Sequence, residues 1–348
     1  MDVKRTPDAR FEKLDAFPFA PYYAEVKADD GTVLRVHYVD EGSRGAAPVV
    51  LMHGNPSWSY LYRKIIPRLV AHGHRVLAPD LMGLGRSDKP AAKSDYSLAR
   101  HVDWMSQWLV AVGAENATLF AQDWGGVIGF PVAMRHPERF ARLIAANTGL
   151  PTGGGANPAL QQWLEYSDRA TALPISQLVH GFTVNGLTDA EKHAYDAPFP
   201  DGSYQAAALS FPRLIPLQPD NPGVPLMLET WKLIERWTKP FLTVFGDRDP
   251  ISKGANLTFQ QRVPGARGSH TSCSRRRTTS CRKTSPRRSR STSTPSSRGR
   301  AASPQPTGTG GSTSGGAILS SLAAFSHRTL RPACGVALPS ARSISSRP

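Results

Sequence analysis

The chain has 348 residues, 40% hydrophobic and 20% charged, with a formal charge of +15, a length that suits one large domain or two ordinary ones. Fifteen of its 42 Lys and Arg fall between Arg267 and Arg347, no Asp or Glu follows Asp249, and all three cysteines (Cys273, Cys281, Cys334) lie in that last stretch. Residues 1–265 therefore hold 27 basic and 27 acidic residues and no cysteine, which excludes a uniformly basic polyanion binder and a body stapled by disulfides.

Met1 to Phe17 carries charges throughout and no apolar h-region, so no signal peptide is expected. No apolar run approaches the roughly 20 residues of a membrane span, and a cytoplasmic, monomeric protein is the expectation. Tyr23 to Lys27, a turn at Asp29-Asp30-Gly31 and the alternating Val33 to Val39 read as a β-hairpin. Pro48 to His53 is a short apolar run that ends in His53-Gly54-Asn55-Pro56. Similar runs recur at Arg75–Pro79, Ala117–Ala121, Leu143–Ala146 and Phe241–Phe245, as expected of strands buried on both faces of a parallel sheet. Helical patterns over Tyr60–Ala71, Leu98–Val112 and Gly126–His136 separate them. Alternating β and α elements predict an α/β fold, a doubly wound and mostly parallel sheet whose ligand site lies beyond the carboxyl ends of the strands.

Nearly a hundred residues between the strands at 143 and 241 show no strand pattern. They open with the flexible Thr152-Gly-Gly-Gly155, hold helical pieces near Leu160–Tyr166 and Ile175–Val179, and include a Pro-rich stretch from Ala197 to Pro225. The expected organisation is a core over 1–149, a helical cap over 150–235, the rest of the core over 236–265, and a disordered basic Ser/Arg-rich tail over 266–348.

Ala121-Gln122-Asp123-Trp124-Gly125 follows an apolar strand and opens a helix, the setting of a nucleophile elbow with Asp in place of Ser. A carboxylate is ionised at neutral pH and needs no base to attack carbon; it yields an ester that water must then hydrolyse. The ordinary alternative is an Asp that caps the helix behind it. With His53-Gly54-Asn55-Pro56 two sheet strands earlier, the catalytic reading leads.

Taken together, Arg5–Phe11, Phe17–Tyr22, His53–Arg63, Asp80–Pro90 and Gln122–Gly126 make the chain similar to the haloalkane dehalogenases of the α/β-hydrolase superfamily, over residues 5–264. The resemblance implies that Asp123 displaces halide from a saturated carbon. It assigns the halide to two indole N–H donors, Trp124 and, from the cap, Trp163, with the Asn55 side-chain amide as the alternative second donor; Trp231 and Trp237 read as core or interface residues. Backbone N–H groups of Asn55 and Trp124 would form the oxyanion hole. Asp249, in Gly246-Asp247-Arg248-Asp249-Pro250, takes the position of the acid that orients a catalytic His, with Asp247 as its competitor; the end of the strand before the cap has Asn147-Thr148 and no carboxylate. The implied reaction turns a small haloalkane and water into a primary alcohol, halide and a proton, without metal or organic cofactor. An epoxide hydrolase, using Tyr166 and Tyr195 to protonate the epoxide oxygen, is the alternative.

The general base is missing. The family sets its His in a Gly-His-Phe-like turn after one more strand, about thirty residues beyond the acid. Here His270 comes too early, and Ser272 to Thr284 lacks apolar β-formers. One permitted codon choice for Arg277 to Thr284, CGG ACC ACT TCC TGC AGG AAG ACA, reads Asp-His-Phe-Leu-Gln-Glu-Asp in a shifted frame. A change of reading frame near Gly265–Ser269 is therefore expected, with loss of the base, the last strand and the closing helix, and with it loss of turnover. A non-catalytic protein whose tail binds polyanions is the third reading; with Phe325 as its one aromatic, the tail suits base stacking poorly.

Overall fold

The computed structural model describes residues 1–246 and 248–268, and the backbone of Thr271–Cys273. Its first short strand, β1 (Val3–Lys4), pairs antiparallel with β6 (Lys89–Pro90) at the margin of the molecule. The main sheet is built from β2 (Tyr22–Lys27), β3 (Val33–Glu41), β4 (Pro48–Met52), β5 (Arg75–Pro79), β7 (Ala117–Gln122), β8 (Phe140–Ala146), β9 (Phe241–Gly246) and β10 (Thr271–Cys273). Its eight strands run in the order β10-β9-β8-β7-β4-β5-β3-β2. The β2–β3 and β3–β5 pairs are antiparallel and every other pair is parallel.

Side chains alternate between the faces of a strand, and that alternation divides the interior in two. Val50 and Met52 of β4 join one core with Leu34, Leu77 and Leu119, while Val49 and Leu51 join another with Val76, Phe120 and Ile144. The first core is closed by α2 (Leu98–Ala111), α3 (Trp124–Arg135) and α8 (Val224–Ile234), which contribute Trp104, Trp108, Ile128 and Met227. The second is closed by α1 (Ile66–Ala71) and by Phe11, Phe17, Trp58 and Tyr60. Each such side chain contributes about 1.5–3 kcal/mol on burial.

The helix expected over Tyr60–Ala71 is split. A 3-10 turn covers Ser59–Tyr62 and α1 begins at Ile66, with Pro67 in its first turn, where a proline lacks only an amide that would be unpaired anyway. The region between β8 and β9 holds α4 (Pro158–Arg169), α5 (Ile175–Phe182), α6 (Asp189–Asp196), α7 (Ala206–Leu214) and α8. Its glycine-rich entry is tied down: the Gly153 and Gly155 amides donate to Pro216 and Leu217 carbonyls at 2.9 and 2.8 Å. Inside the Pro-rich stretch, α7 forms in spite of Pro212.

After β9 comes α9 (Ala255–Arg262), and then β10, whose backbone pairs in parallel with β9 from Thr271↔Val244 to Cys273↔Gly246. This corrects the expectation that no further strand follows β9. The ladder needs only backbone donors and acceptors, so three residues can pair whatever their side chains. The frame-change segment beyond Gly268, the rest of the tail and Asp247 lie outside the described residues. Among the described residues no helix is long and apolar enough to cross a membrane.

Candidate active site

Asp123 sits between β7 and α3 with φ 54° and ψ −125°, a strained turn that costs on the order of 1–3 kcal/mol. The turn stays closed because its neighbours are small. A Cβ on Gly125 would lie 2.1 Å from the Met52 carbonyl oxygen, and one on Gly54 would lie 2.1 Å from Asp123 Oδ1. The Asp123 side chain makes no capping bond to α3, so the capping alternative does not describe it. Instead the Asn55 N–H donates to Oδ1 at 3.0 Å, and the Thr148 hydroxyl donates to the Asp123 carbonyl at 2.7 Å.

The surroundings of this carboxyl are mostly apolar. Burial pushes its pKa up to about 6; the backbone N–H groups of Trp124 and Asn55 pull it down, and the charge of Asp249 pushes it up. It opens on a cavity of about 430 Å3 that Asn55, Asp123, Trp124, Trp163 and Asp249 all line. Five residues drawn from a loop, an elbow, helix α4 and a second loop are thus brought together.

Trp124 is buried, with its indole packed edge-on against Phe211 of α7 at 4.8 Å. Trp163 stands on α4, stacked on Tyr166 and edge-on to Phe182, both at 6.0 Å. Neither indole N–H has an acceptor among the described residues, and both indoles line the cavity. Trp231 lines it too, but its N–H already donates to the Leu150 carbonyl at 2.8 Å. Trp237 is buried away from the cavity. The Asn55 amide donates to the Ala208 carbonyl of α7 at 3.2 Å. Tyr166 and Tyr195 do not line the cavity; Tyr195 is buried beside Tyr60.

Asp249 is held by a dense set of donors. Asn147 Nδ2 donates to Oδ2 at 2.8 Å, the Ile251 N–H donates to Oδ1 at 2.9 Å, and the Ser252 hydroxyl donates to Oδ2. Asn147 also accepts from the Gly246 N–H at 3.2 Å, which fixes the start of the acid loop against the end of β8. Asn157, the N-cap of α4, donates to the Pro250 and Ile251 carbonyls at 3.1 and 2.8 Å. The helix that carries Trp163 is therefore tied to the loop that carries Asp249. Neither Asn147 nor Asn157 was marked out by any motif; a polar residue next to a glycine-rich turn was the faint local sign.

Among the described residues no histidine lines the cavity. His53 is closest in sequence, but its Nδ1 lies 2.9 Å from the Gly54 carbonyl and its Nε2 accepts the Leu81 N–H at 3.0 Å. His101 is stacked on Phe211 at 4.6 Å, and burial holds its pKa down to about 3, so it packs as a neutral ring.

An α/β-hydrolase fold profile matches residues 47–276. A haloalkane dehalogenase of Mycobacterium marinum is 49% identical over 269 residues, 77% of this chain and 91% of that protein. One of Psychrobacter cryohalolentis is 46% identical over the same length, 89% of that protein. Among solved structures, the tetrameric haloalkane dehalogenase DpaA of Paraglaciecola agarilytica superposes with a TM-score of 0.72 at 34% identity, covering 76% of this chain and 89% of that one. The elbow with its Asp, the α/β sheet that carries it and these likenesses agree: the chain belongs to the haloalkane dehalogenase family of α/β-hydrolases.

Proposed function

We propose that this chain carries out the first half of hydrolytic dehalogenation and stops at the ester. Asp123 attacks a saturated carbon of a small haloalkane from the side opposite the halogen. The carbon–halogen bond breaks with its electron pair, halide leaves, and an alkyl ester remains on Asp123. The Trp124 and Trp163 indole N–H groups hold the leaving halide. The Asn55 and Trp124 backbone N–H groups face the ester carbonyl, where an oxyanion would form. What carries this reading is one observation: Asp123 opens on a largely apolar cavity lined by two indoles whose N–H groups have no acceptor among the described residues.

Hydrolysis of the ester needs a base to take a proton from water. Asp249 would orient such a base, yet among the described residues no histidine lines the cavity. The family match ends at residue 276, and the chain runs on to 348. Both facts support a change of frame after Gly265, and sequencing codons 260–290 in independent isolates checks it. An unshifted read in all of them would contradict that explanation.

The experiment for the chemistry is a single-turnover assay with 1,2-dibromoethane beside one with styrene oxide. Bromide is expected without diol, because Tyr166 and Tyr195 lie off the cavity lining; diol without bromide would favour the epoxide reading. The ionised carboxylate is the nucleophile and its pKa is about 6. The rate of bromide release should then be flat at alkaline pH and fall about tenfold per unit below pH 6. A rate independent of pH from 4 to 8 would contradict an Asp123 so perturbed.

A further inference from the structure

The parallel strands of the sheet have a second cavity, at the end opposite Asp123. It measures about 220 Å3 and is lined by Val49, Gly73, His74, Asn116, Thr118 and Arg142, with Ala46 and Ala47 at its edge. The register puts three of these in one row across the sheet: Val49 beside Thr118, and Thr118 beside Arg142. Register partners project to the same face, so the Thr118 and Arg142 side chains leave the sheet on one side, and both line the cavity. His74 comes one residue before β5, two strands away from β7. Thr118 lies five residues before Asp123, about 16 Å along the strand at 3.3 Å per residue.

Several polar groups of this cavity lack partners among the described residues. Every other described arginine that is not exposed donates to a carboxylate or a carbonyl oxygen; among the described residues Arg142 donates to neither and stacks on no ring. The Thr118 residue is 3% exposed, and its hydroxyl has no hydrogen-bond partner among the described residues. His74 Nε2 is buried and, among the described residues, unpaired. Among the described residues no Asp or Glu lines the cavity. Burial first, and then the nearby His72 and Arg142, lower the proton affinity of His74. Unpaired donors beside a guanidinium without a counter-charge form the natural complement of an anion with several oxygen acceptors.

We propose that this cavity binds a small oxyanion, a carboxylate or a phosphate group, held by the Arg142 guanidinium, the Thr118 hydroxyl and His74 Nε2. The guanidinium fork pairs two anion oxygens, the hydroxyl donates to one of them, and the imidazole N–H closes the third side. The site is independent of Asp123 and of the halide chemistry.

The test is a titration of the full chain, labelled in its histidine rings, with inorganic phosphate, with acetate and with chloride at constant pH and ionic strength. The His74 ring signal, assigned by its absence in His74→Gln, should move saturably with phosphate or with acetate, and the anion effective at lower concentration identifies the class of ligand. Arg142→Gln should weaken that response about tenfold or more, as loss of a charged hydrogen-bond partner does. Thr118→Val keeps the shape of the buried side chain and should weaken it several-fold, which gives a second reading free of any folding defect in the first variant. An unmoved His74 signal with both oxyanions would overturn the site. So would an identical curve in both variants, the outcome expected if phosphate met only the basic residues after Gly265.

Discussion

A chain read in the shifted frame after Gly265 should turn haloalkane over continuously, about a thousandfold faster in steady state than the chain as written. The size follows from what a positioned general base contributes, roughly 10²–10⁴ in rate. With the codons given above, the shifted frame would supply Asp-His-Phe in place of the string that begins at Arg277. Asp249, the acid of the proposed relay, is fixed by Asn147, Ile251 and Ser252 at one wall of the cavity. The Ser252 hydroxyl, which donates to Asp249 Oδ2, is the partner that an incoming imidazole would displace. Bromide release followed over many equivalents of substrate measures the difference. Equal steady-state rates in the two chains would mean that the base is supplied by some other group.

Asp123→Asn should lower single-turnover bromide release about ten-thousandfold, because a neutral amide oxygen is a poor nucleophile toward carbon. The fold should survive. Asn tolerates positive φ better than most residues, and its Oδ1 can still accept the Asn55 N–H that Asp123 accepts at 3.0 Å. Stability should even gain at pH 8. A carboxyl whose pKa is raised by folding binds its proton more tightly in the native state, so it destabilises the fold as pH rises through about 6. The amide has no such penalty. Melting temperatures at pH 5 and pH 8 check this: the variant's advantage should be larger at pH 8.

Local features were legible in the sequence, and long-range ones were not. The elbow could be read because Ala121, Asp123 and Gly125 encode a strand, a turn and a helix within a few residues. The same holds for Gly54-Asn55, whose place at the end of an apolar run puts it at the carboxyl edge of β4. Trp163 could be named only through the family, since an amphipathic helix offers several faces and nothing local says which one meets the cavity. The ties of Asn157 to Pro250 and Ile251, of Asn147 to Asp249 and of Asn55 to Ala208 join residues some ninety to a hundred and fifty positions apart. No spacing rule encodes them. Splitting of the Tyr60–Ala71 helix was readable in principle from Pro67, which marks a first turn. The strand β10 was missed because its side chains argue against a buried strand, whereas its backbone pairing does not depend on them.

The excess charge of the chain thus belongs to the basic segment after Gly265, and the Arg142 cavity is a separate matter within the charge-balanced body. Neither bears on the nucleophile. The central claim, that Asp123 is alkylated and stays so, is tested most directly by mass spectrometry of the intact chain after incubation with excess 1-bromobutane. The predicted result is one butyl group per chain, stable over hours and mapped to the peptide that contains Asp123. An unmodified chain in a solution that has accumulated many equivalents of bromide would contradict it.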